Sequence, residues 1–179
     1  LDITDLNIID LKMEGKAKLK GYTRGNSSFG VVKMDLRPNN FWIDDYGVGN
    51  YRTKLEYRKG FLYFRNINGN YGSTRYNGTL SINLGQNQIY SKIKIPFVDI
   101  TDIEDMFKRK VTLPIEISGT GAATLKVWGP LQFNILNYDL QSKLLRGRIA
   151  GESYDHVQAN FVSRKGYVKA RNSFLLKGT

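Results

Sequence analysis

The chain has 179 residues, of which 27 are lysine or arginine and 16 are aspartate or glutamate, so its formal charge at pH 7 is +11. Hydrophobic residues make up 41%, with 11 tyrosines and 9 phenylalanines, which excludes general disorder. No stretch reaches the roughly 18 to 20 apolar residues of a membrane-spanning helix, and the absence of cysteine excludes disulfides and thiolate chemistry. Because the chain begins at Leu1 and no signal-like segment follows, we expect a piece of a longer protein.

Alternation of apolar and polar residues with a period of two is the dominant pattern, and it predicts β-strands. The pattern is clearest at residues 11–21, 76–84 and 115–127, where one face is apolar or small and the other is polar or charged. Weaker strands are predicted at residues 31–36, 51–57, 61–67, 89–97, 138–144, 157–163 and 167–176. Such strands are typical of a mainly antiparallel sheet with one dry face and one wet face, so the predicted class is all-β.

A single short helix is predicted at residues 101–107, lying against an edge or end of the sheet. Thr101 and Glu104 have the spacing of a capping box. The helix has apolar residues that can share one face: Ile103, Met106 and Phe107. Pro96 and Pro114 stand on either side of it and predict a break between two runs of strands.

An internal repeat relates two parts of the chain at a constant offset of 106 residues. Arg-Lys-Gly-Phe at 58–61 recurs as Arg-Lys-Gly-Tyr at 164–167, and Arg-Asn at 65–66 recurs at 171–172. The same offset aligns Gly15, Ala17, Leu19 and Lys20 with Gly121, Ala123, Leu125 and Lys126. We therefore predict that residues 1–179 are one fragment of a longer repeat array, with a first unit at about 9–114 and a truncated second unit at about 115–179.

The residues give no support for catalysis. The single histidine, His156, has no cysteine to partner it and fits a solvated strand position. The carboxylate pair at 44–45 points to opposite faces if it lies on a strand, and the pair at 104–105 lies in the predicted helix, where acids are common. Nucleophile-elbow, P-loop and zinc-protease motifs are missing. We expect a protein that is not an enzyme and has neither a cofactor nor a metal.

The surplus of basic residues has two interpretations. Basic and aromatic residues alternate along one stretch, as in proteins that bind single-stranded nucleic acid: Arg37, Tyr51, Arg52, Lys54, Tyr57, Arg58, Lys59, Phe61, Tyr63, Arg65, Arg75 and Tyr76. The alternative is that cations such as Lys12, Lys16, Lys18 and Lys20 occupy a wet strand face and protect sheet edges, and the same charges suit anionic lipid head groups. No motif of a nucleic-acid-binding fold accompanies the charge, so we expect no nucleic-acid partner.

Small residues occupy central positions of the predicted dry face: Gly15, Ala17, Gly78, Gly119, Gly121 and Ala123. A close-packed sandwich would place larger side chains there. Two interpretations stay open at this point. The glycines permit close approach of strands and curvature, or the apolar inner face is kept open.

One run of motifs allows a comparison with a known family. The sequence Ile-Ser-Gly-Thr-Gly-Ala-Ala-Thr-Leu-Lys-Val-Trp-Gly-Pro-Leu at 117–131 is followed by Tyr-Asp-Leu at 138–140, Gly-Arg-Ile-Ala-Gly at 147–151 and Tyr-Asp-His-Val-Gln-Ala-Asn-Phe at 154–161. In this order the motifs resemble repeats of the AsmA/TamB family, in which leucine is commoner than valine at the position of Val157.

The resemblance implies a curved, mainly antiparallel extended sheet that forms a taco-like trough with a hydrophobic interior. It further implies a periplasmic protein of Gram-negative bacteria, held by an inner-membrane anchor outside this fragment. Its partners would be phospholipid and an outer-membrane barrel protein linked to autotransporter assembly, and its role would be lipid transport in outer-membrane biogenesis.

On this interpretation the apolar face is a lipid groove, which shields acyl chains from water. The expected lining residues are Leu11, Met13, Leu19, Leu80, Ile82, Leu84, Ile93, Ile95, Ile115, Ile117, Leu125 and Val127. The alternative is a non-conducting β-sandwich interaction module in outer-membrane protein assembly, which binds a partner by strand addition at a sheet edge.

Overall fold

The computed structural model describes residues 2–8, 11–25, 30–109, 116–132 and 135–178, and it describes side chains from Lys12 onward. Its strands are β1 (Asp2–Ile8), β2 (Leu11–Arg24), β3 (Val31–Ile43), β4 (Tyr46–Arg58), β5 (Phe61–Tyr71), β6 (Thr74–Asn83), β7 (Gln88–Asp99), β8 (Ile117–Pro130), β9 (Asn137–Ile149), β10 (Glu152–Arg164), β11 (Tyr167–Ala170) and β12 (Phe174–Leu176). The helix α1 (Ile100–Phe107) follows β7. The predicted all-β class with one short helix is confirmed.

All strands belong to one antiparallel sheet in which each strand pairs with the next along the chain, from β1 to β11, while β12 also pairs with β10. The sheet does not close on itself. The β-sandwich expected in the alternative hypothesis is therefore wrong, because the described residues form no second sheet. Two-residue turns at positions such as Lys59-Gly60 join the hairpins, as the lysine-glycine pairs predicted.

The predicted break between two runs of strands is present along the chain, since β7 ends at Asp99, α1 follows it and β8 begins only at Ile117. The break does not divide the sheet. Strands β7 and β8 pair along almost their whole length, from Gln88 opposite Pro130 to Asp99 opposite Thr120. Pro96 does not end β7, because it lies where the register shifts between Ile95 and Val98 and no ladder hydrogen bond is needed. Pro114 lies outside the described residues.

Bulges explain why several predicted strands were too short. Asn40 in β3, Asn66 in β5 and Arg146 in β9 have φ of 49°, 54° and 48°, and the strand register shifts beside each of them. Each bulge adds one residue and reverses the alternation, so the period-two pattern ends there while the strand continues. At Asn172 (φ 46°) the predicted strand 167–176 divides into β11 and β12. Strand β1 was not predicted.

The strand bounds repeat at the offset found in the sequence. Strands β2, β3 and β4 begin at residues 11, 31 and 46, and β8, β9 and β10 begin at 117, 137 and 152, which is 106 residues later in each case. The left-handed residues Asn40, Lys59 and Asn66 match Arg146, Lys165 and Asn172 at the same spacing. The backbone from β8 to the start of β11 thus follows the backbone from β2 to the start of β5.

Helix α1 begins one residue earlier than predicted. Its N-cap is Asp99, whose carboxylate accepts hydrogen bonds from the backbone N–H of Thr101 (3.0 Å) and from its hydroxyl (2.7 Å). The predicted capping box, with Thr101 as its first residue, is therefore wrong. Aspartate is among the best N-cap residues, and here it ends β7 as it begins the helix.

The glycines on the dry face lie where strands approach closely. A methyl group on Gly78 would overlap the carbonyl oxygen of Lys92, and one on Gly121 would overlap that of Lys143. Of the two interpretations left open by the sequence, these contacts favour close approach and curvature over space kept empty.

We expect Gly121→Ala to destabilise the fold by about 1–3 kcal/mol, because the added methyl group forces β8 and β9 apart. The measurement is urea unfolding followed by circular dichroism. Gly85→Ala is the matched control, since a methyl group there would lie 3.6 Å from its nearest neighbour. Equal unfolding midpoints for the two variants would contradict the close approach.

Candidate functional site

The strand register divides the side chains of β2–β10 between two faces. The first, the apolar face, carries cross-strand neighbours such as Leu19 and Leu36, and further along it Ile93, Leu125 and Leu140. The second, the charged face, carries Lys18 opposite Arg37 and Lys92 opposite Lys126. Side chains alternate between the faces because successive residues of a strand point in opposite directions.

The predicted groove residues mostly share the apolar face. Nine of the twelve lie on it by register and alternation: Met13, Leu19, Leu80, Ile82, Ile93, Ile95, Ile117, Leu125 and Val127. Leu84 lies in the turn that follows β6, with its side chain 38% exposed. The side chain of Leu11 and all of Ile115 lie outside the described residues.

The apolar face is only partly shielded from water. Most of the buried hydrophobic side chains lie on it, among them Leu36, Ile82 and Leu144, but Leu19 is 43% exposed. The accessible surface is 11,809 Å², against about 8,800 Å² for a compact globular protein of 20.4 kDa. This excess reflects a single-layer sheet, because α1 is the only regular element outside it among the described residues.

Hydroxyl side chains on the apolar face do not make it polar. Thr53 donates to the carbonyl oxygen of Arg65 (2.9 Å), and Ser91 donates to that of Thr79 (3.1 Å). Ser142 bonds in the same way to a carbonyl of β10. Within the described residues no buried side-chain polar atom lacks a partner. The face therefore offers an apolar surface without unpaired donors or acceptors.

Two tyrosines on the apolar face bridge three strands each. Tyr154 faces Gly147, and its hydroxyl donates to the carbonyl oxygen of Ser118 (2.7 Å). Tyr76 faces Gly69, and its hydroxyl donates to that of Val48 (2.8 Å). Burial raises the pKa of both hydroxyls above the ordinary value. These bridging tyrosines were not predicted from the sequence, although a tyrosine opposite a glycine on the neighbouring strand is a known pattern in β-sheets.

Helix α1 closes one end of the apolar face. Ile100 and Ile103 pack against a buried cluster of Val98, Leu144 and Tyr154. The ring of Phe107 meets the ring of Tyr46 at the start of β4, with 5.5 Å between their centroids. Because α1 contacts β4 on one side and β8 on the other, it connects strands that lie four positions apart in the sheet, and the sheet must curve between them.

Asp102 attaches α1 to the hairpin between β5 and β6. Its Oδ2 accepts the backbone N–H of Ser73 (2.9 Å), the Ser73 hydroxyl (2.8 Å) and the backbone N–H of Thr74 (2.7 Å). Partial burial raises the pKa of this carboxyl, but the hydrogen bonds outweigh it, so the pKa lies below its ordinary value. Gly72 has φ +56°, and any side chain there would overlap the carboxylate.

Arg109, just after α1, contacts strands β2 and β3. Its guanidinium lies over the ring of Trp42, 3.8 Å from the centroid, and pairs with Glu14 at 3.0 Å. Hydrogen bonds from Lys12 and Arg109 lower the pKa of Glu14. The buried ring of Trp42 also meets the ring of Tyr71 edge-on, with 6.3 Å between their centroids.

No group of three or more histidine, aspartate and glutamate side chains is placed to hold a metal in the described part of the chain. His156 stacks on Phe174. Asp44 lies in the turn between β3 and β4, not on a strand as assumed, and its carboxylate accepts the backbone N–H of Lys12 (2.8 Å).

The described helix is too short and too polar to span a bilayer. Comparison with models of protein families, with curated protein sequences and with solved structures gives no match to this chain. Function must therefore be inferred from the two faces of the sheet and its edges.

We expect Asp102→Asn to lower the free energy of unfolding by about 1–2 kcal/mol, because three hydrogen bonds lose their charged acceptor. Since the folded-state pKa is depressed, the wild-type contribution is complete above the unfolded pKa of about 4 and is lost as pH falls through the folded value. The measurement is urea unfolding between neutral and acidic pH.

Asp105→Asn is the matched control for this variant. Among the described residues the side chain of Asp105 makes only an exposed ion pair with Lys108, so this change should alter stability by less than about 1 kcal/mol. If Asp102→Asn matched the control, or kept the full acid dependence of the wild type, Asp102 would not be the attachment point of α1.

Proposed function

We propose that this chain is a segment of a lipid-transport protein, in which the apolar face of the sheet shields phospholipid acyl chains from water. The observation that carries the proposal is the open, single-layer sheet. Its apolar face spans the strands from β2 to β10, and α1 covers only one end of it. A globular protein would normally bury such a face against a second layer.

Desolvation supplies the energy in this mechanism. Each methylene that leaves water for an apolar surface gains about 0.8 kcal/mol, so an acyl chain lying along the face avoids most of the cost of crossing water. Ile93 faces Leu125, which faces Leu140, and this row continues from strand to strand without a charge. The head group remains in water at the opening of the trough, near exposed side chains such as Leu19.

The wider setting belongs to the same proposal. The repeated strand bounds support an array of similar units, each adding strands to a continuous sheet. In the protein that the motifs at 117–161 resemble, such an array would cross the periplasm of a Gram-negative bacterium from an inner-membrane anchor outside this fragment. An outer-membrane barrel protein would be its partner at the far end.

Replacing Leu125 by aspartate should weaken lipid binding at least tenfold, because a carboxylate on the apolar face must lose its hydration. Thr124→Asp is the matched control, since it places the same charge one residue away on the charged face. Binding of a fluorescent phosphatidylethanolamine to the purified chain is the measurement, with circular dichroism to check the fold.

A second measurement uses only the wild-type protein. A phospholipid with a photoreactive group in its acyl chain should label the wild-type protein at apolar-face residues such as Leu80 and Leu125, and not at their neighbours Thr79 and Thr124. Equal labelling of both faces, or unchanged lipid binding by Leu125→Asp, would contradict the lipid-shielding function.

The open edge of the sheet supports a second candidate, a module that binds a partner by strand addition. Strands β11 and β12 bond only to β10 within the described residues. Their apolar side chains are exposed, with Tyr167 at 78% and Leu176 at 56%. An unpaired edge of this kind is a template for another strand.

A peptide with the sequence of β6 should test this candidate, because β11 occupies the place of β5 at the offset of 106 residues and β6 is the strand that pairs with β5. Binding should shift backbone amide resonances of β11 and β12 in NMR spectra. A peptide with proline at its centre is the control, because it lacks a backbone donor. Shifts confined to other strands would contradict strand addition here.

A further inference from the structure

The charged face contains an open cavity of about 1540 Å³, which the proposed function does not use. It extends over strands β2–β7, and its side chains come from two neighbouring cross-strand rows of the charged face. One row includes Lys18 and Arg37, which lie directly opposite each other, and the other includes Asn70 and Arg75. We call it the basic cavity.

The basic cavity concentrates positive charge without compensation. Its cations are Lys16, Lys18, Arg37, Arg52 and Arg75, and its described lining contains no acidic residue. None of the five forms an ion pair within the described part of the chain, whereas cations elsewhere on the sheet do, as Arg65 does with Glu56 and Arg164 with Asp139. Like charges directly opposite each other destabilise a sheet. A bound anion would therefore reduce the electrostatic repulsion between these cations.

Asparagines fill the space between these cations. The cavity is lined by Asn39, Asn50, Asn68, Asn70 and Asn77. The side chain of Asn50 accepts the backbone N–H of Asn40 (2.8 Å), and that of Asn70 donates to the carbonyl oxygen of Gly72 (3.2 Å). Within the described residues the side chains of the other three make no hydrogen bond, so their amides offer both donors and acceptors. Such groups match hydroxyl groups, which also donate and accept.

The aromatic residues argue against nucleic acid as the ligand. By strand register the rings of Tyr51 and Tyr76 lie on the apolar face. The cations that alternate with them in sequence lie on the charged face. Phe97 is the one aromatic residue of the described lining whose side chain lies on the charged face. Proteins that bind single strands stack successive bases on several rings, and the basic cavity lacks that platform.

The spacing of the cations indicates an elongated ligand. Lys16 and Lys18 lie on β2 and Arg75 lies on β6, four strands away, which corresponds to about 19 Å across the sheet. A single phosphate cannot reach both ends. Because side chains of the two faces are separated by the sheet itself, this ligand also cannot be the head group of a lipid whose acyl chain lies on the apolar face.

We infer that the basic cavity binds an extended anion that carries several phosphate groups on a hydroxyl-rich sugar or polyol backbone. Arginine guanidinium groups bind the phosphates, for which their planar donors are suited. The free amides of Asn39, Asn68 and Asn77 bind the hydroxyls between them. This site is independent of the lipid-shielding function, because it uses the opposite face.

The test measures binding of a fluorescent glycerol-phosphate oligomer to the purified chain by anisotropy at low salt. We expect binding that weakens as salt is raised. A neutral maltooligosaccharide and an inorganic polyphosphate should each compete at least tenfold less well, because one lacks the phosphates and the other lacks the hydroxyls. An oligothymidylate with the same number of phosphates should also compete less well.

Two double variants distinguish binding at the basic cavity from non-specific attraction by the net positive charge of the protein. Lys18→Ser with Arg37→Ser should weaken binding at least tenfold. Lys92→Ser with Lys126→Ser removes the same charge from an opposed pair on the same face, outside the cavity lining, and should change it less than threefold. Asn68→Ala with Asn77→Ala should weaken binding of the glycerol-phosphate oligomer and leave that of polyphosphate unchanged.

Equal loss in the two charge variants would show diffuse attraction in place of a site and would overturn the inference. So would tighter binding of oligothymidylate or of polyphosphate than of the glycerol-phosphate oligomer, or no binding of any of these anions. Each of these results leaves the lipid experiments on Leu125 and Thr124 unaffected, so the two proposals fail separately.

Discussion

Hydrogen bonding between each strand and the next is the interaction on which the rest of this structure depends. Every strand from β2 to β10 has a partner on both sides, and the described part of the chain contains no second sheet that could support this one. The backbone pairing therefore fixes the position of each side chain on one of two faces. Curvature follows from the bulges at Asn40, Asn66 and Arg146 and from glycines that let strands approach closely.

Helix α1 turns this curved sheet into a trough with one closed end. It joins the end of β7 to contacts on β4, on the hairpin between β5 and β6, and on β8. The contacts are of different kinds, since Ile103 packs in an apolar cluster while Asp102 holds backbone N–H groups. Arg109 continues the connection to Trp42 and Glu14. The helix is short, but it fixes the distance between strands that do not pair.

The two proposals assign different ligands to the two faces of one sheet. The hydroxyl groups of Thr53 and Ser91 on the apolar face bond to backbone carbonyls, and in the proposed function the methyl and methylene groups of this face contact acyl chains. The basic cavity differs, because few of its cations and amides have side-chain partners within the described part of the chain. The sheet backbone separates them, so occupation of one face need not exclude occupation of the other. An array of similar units would present both surfaces along its length.

The sequence by itself determined the all-β class, the short helix, most of the strands and which residues share the apolar face, because a period of two records directly which side of a strand a residue occupies. It could not follow β3 from Leu36 to Ile43, because the polar and proline residues at 37–40 and the bulge at Asn40 interrupt the alternation. It also suggested a single surface of cations and tyrosines, although alternation places residues such as Arg52 and Tyr51 on opposite faces. Only the tertiary structure decided that the sheet is single and open, that α1 closes one end, and that Lys18 and Arg75 border one cavity. These features depend on strand register and curvature, which bring together residues that are distant along the chain.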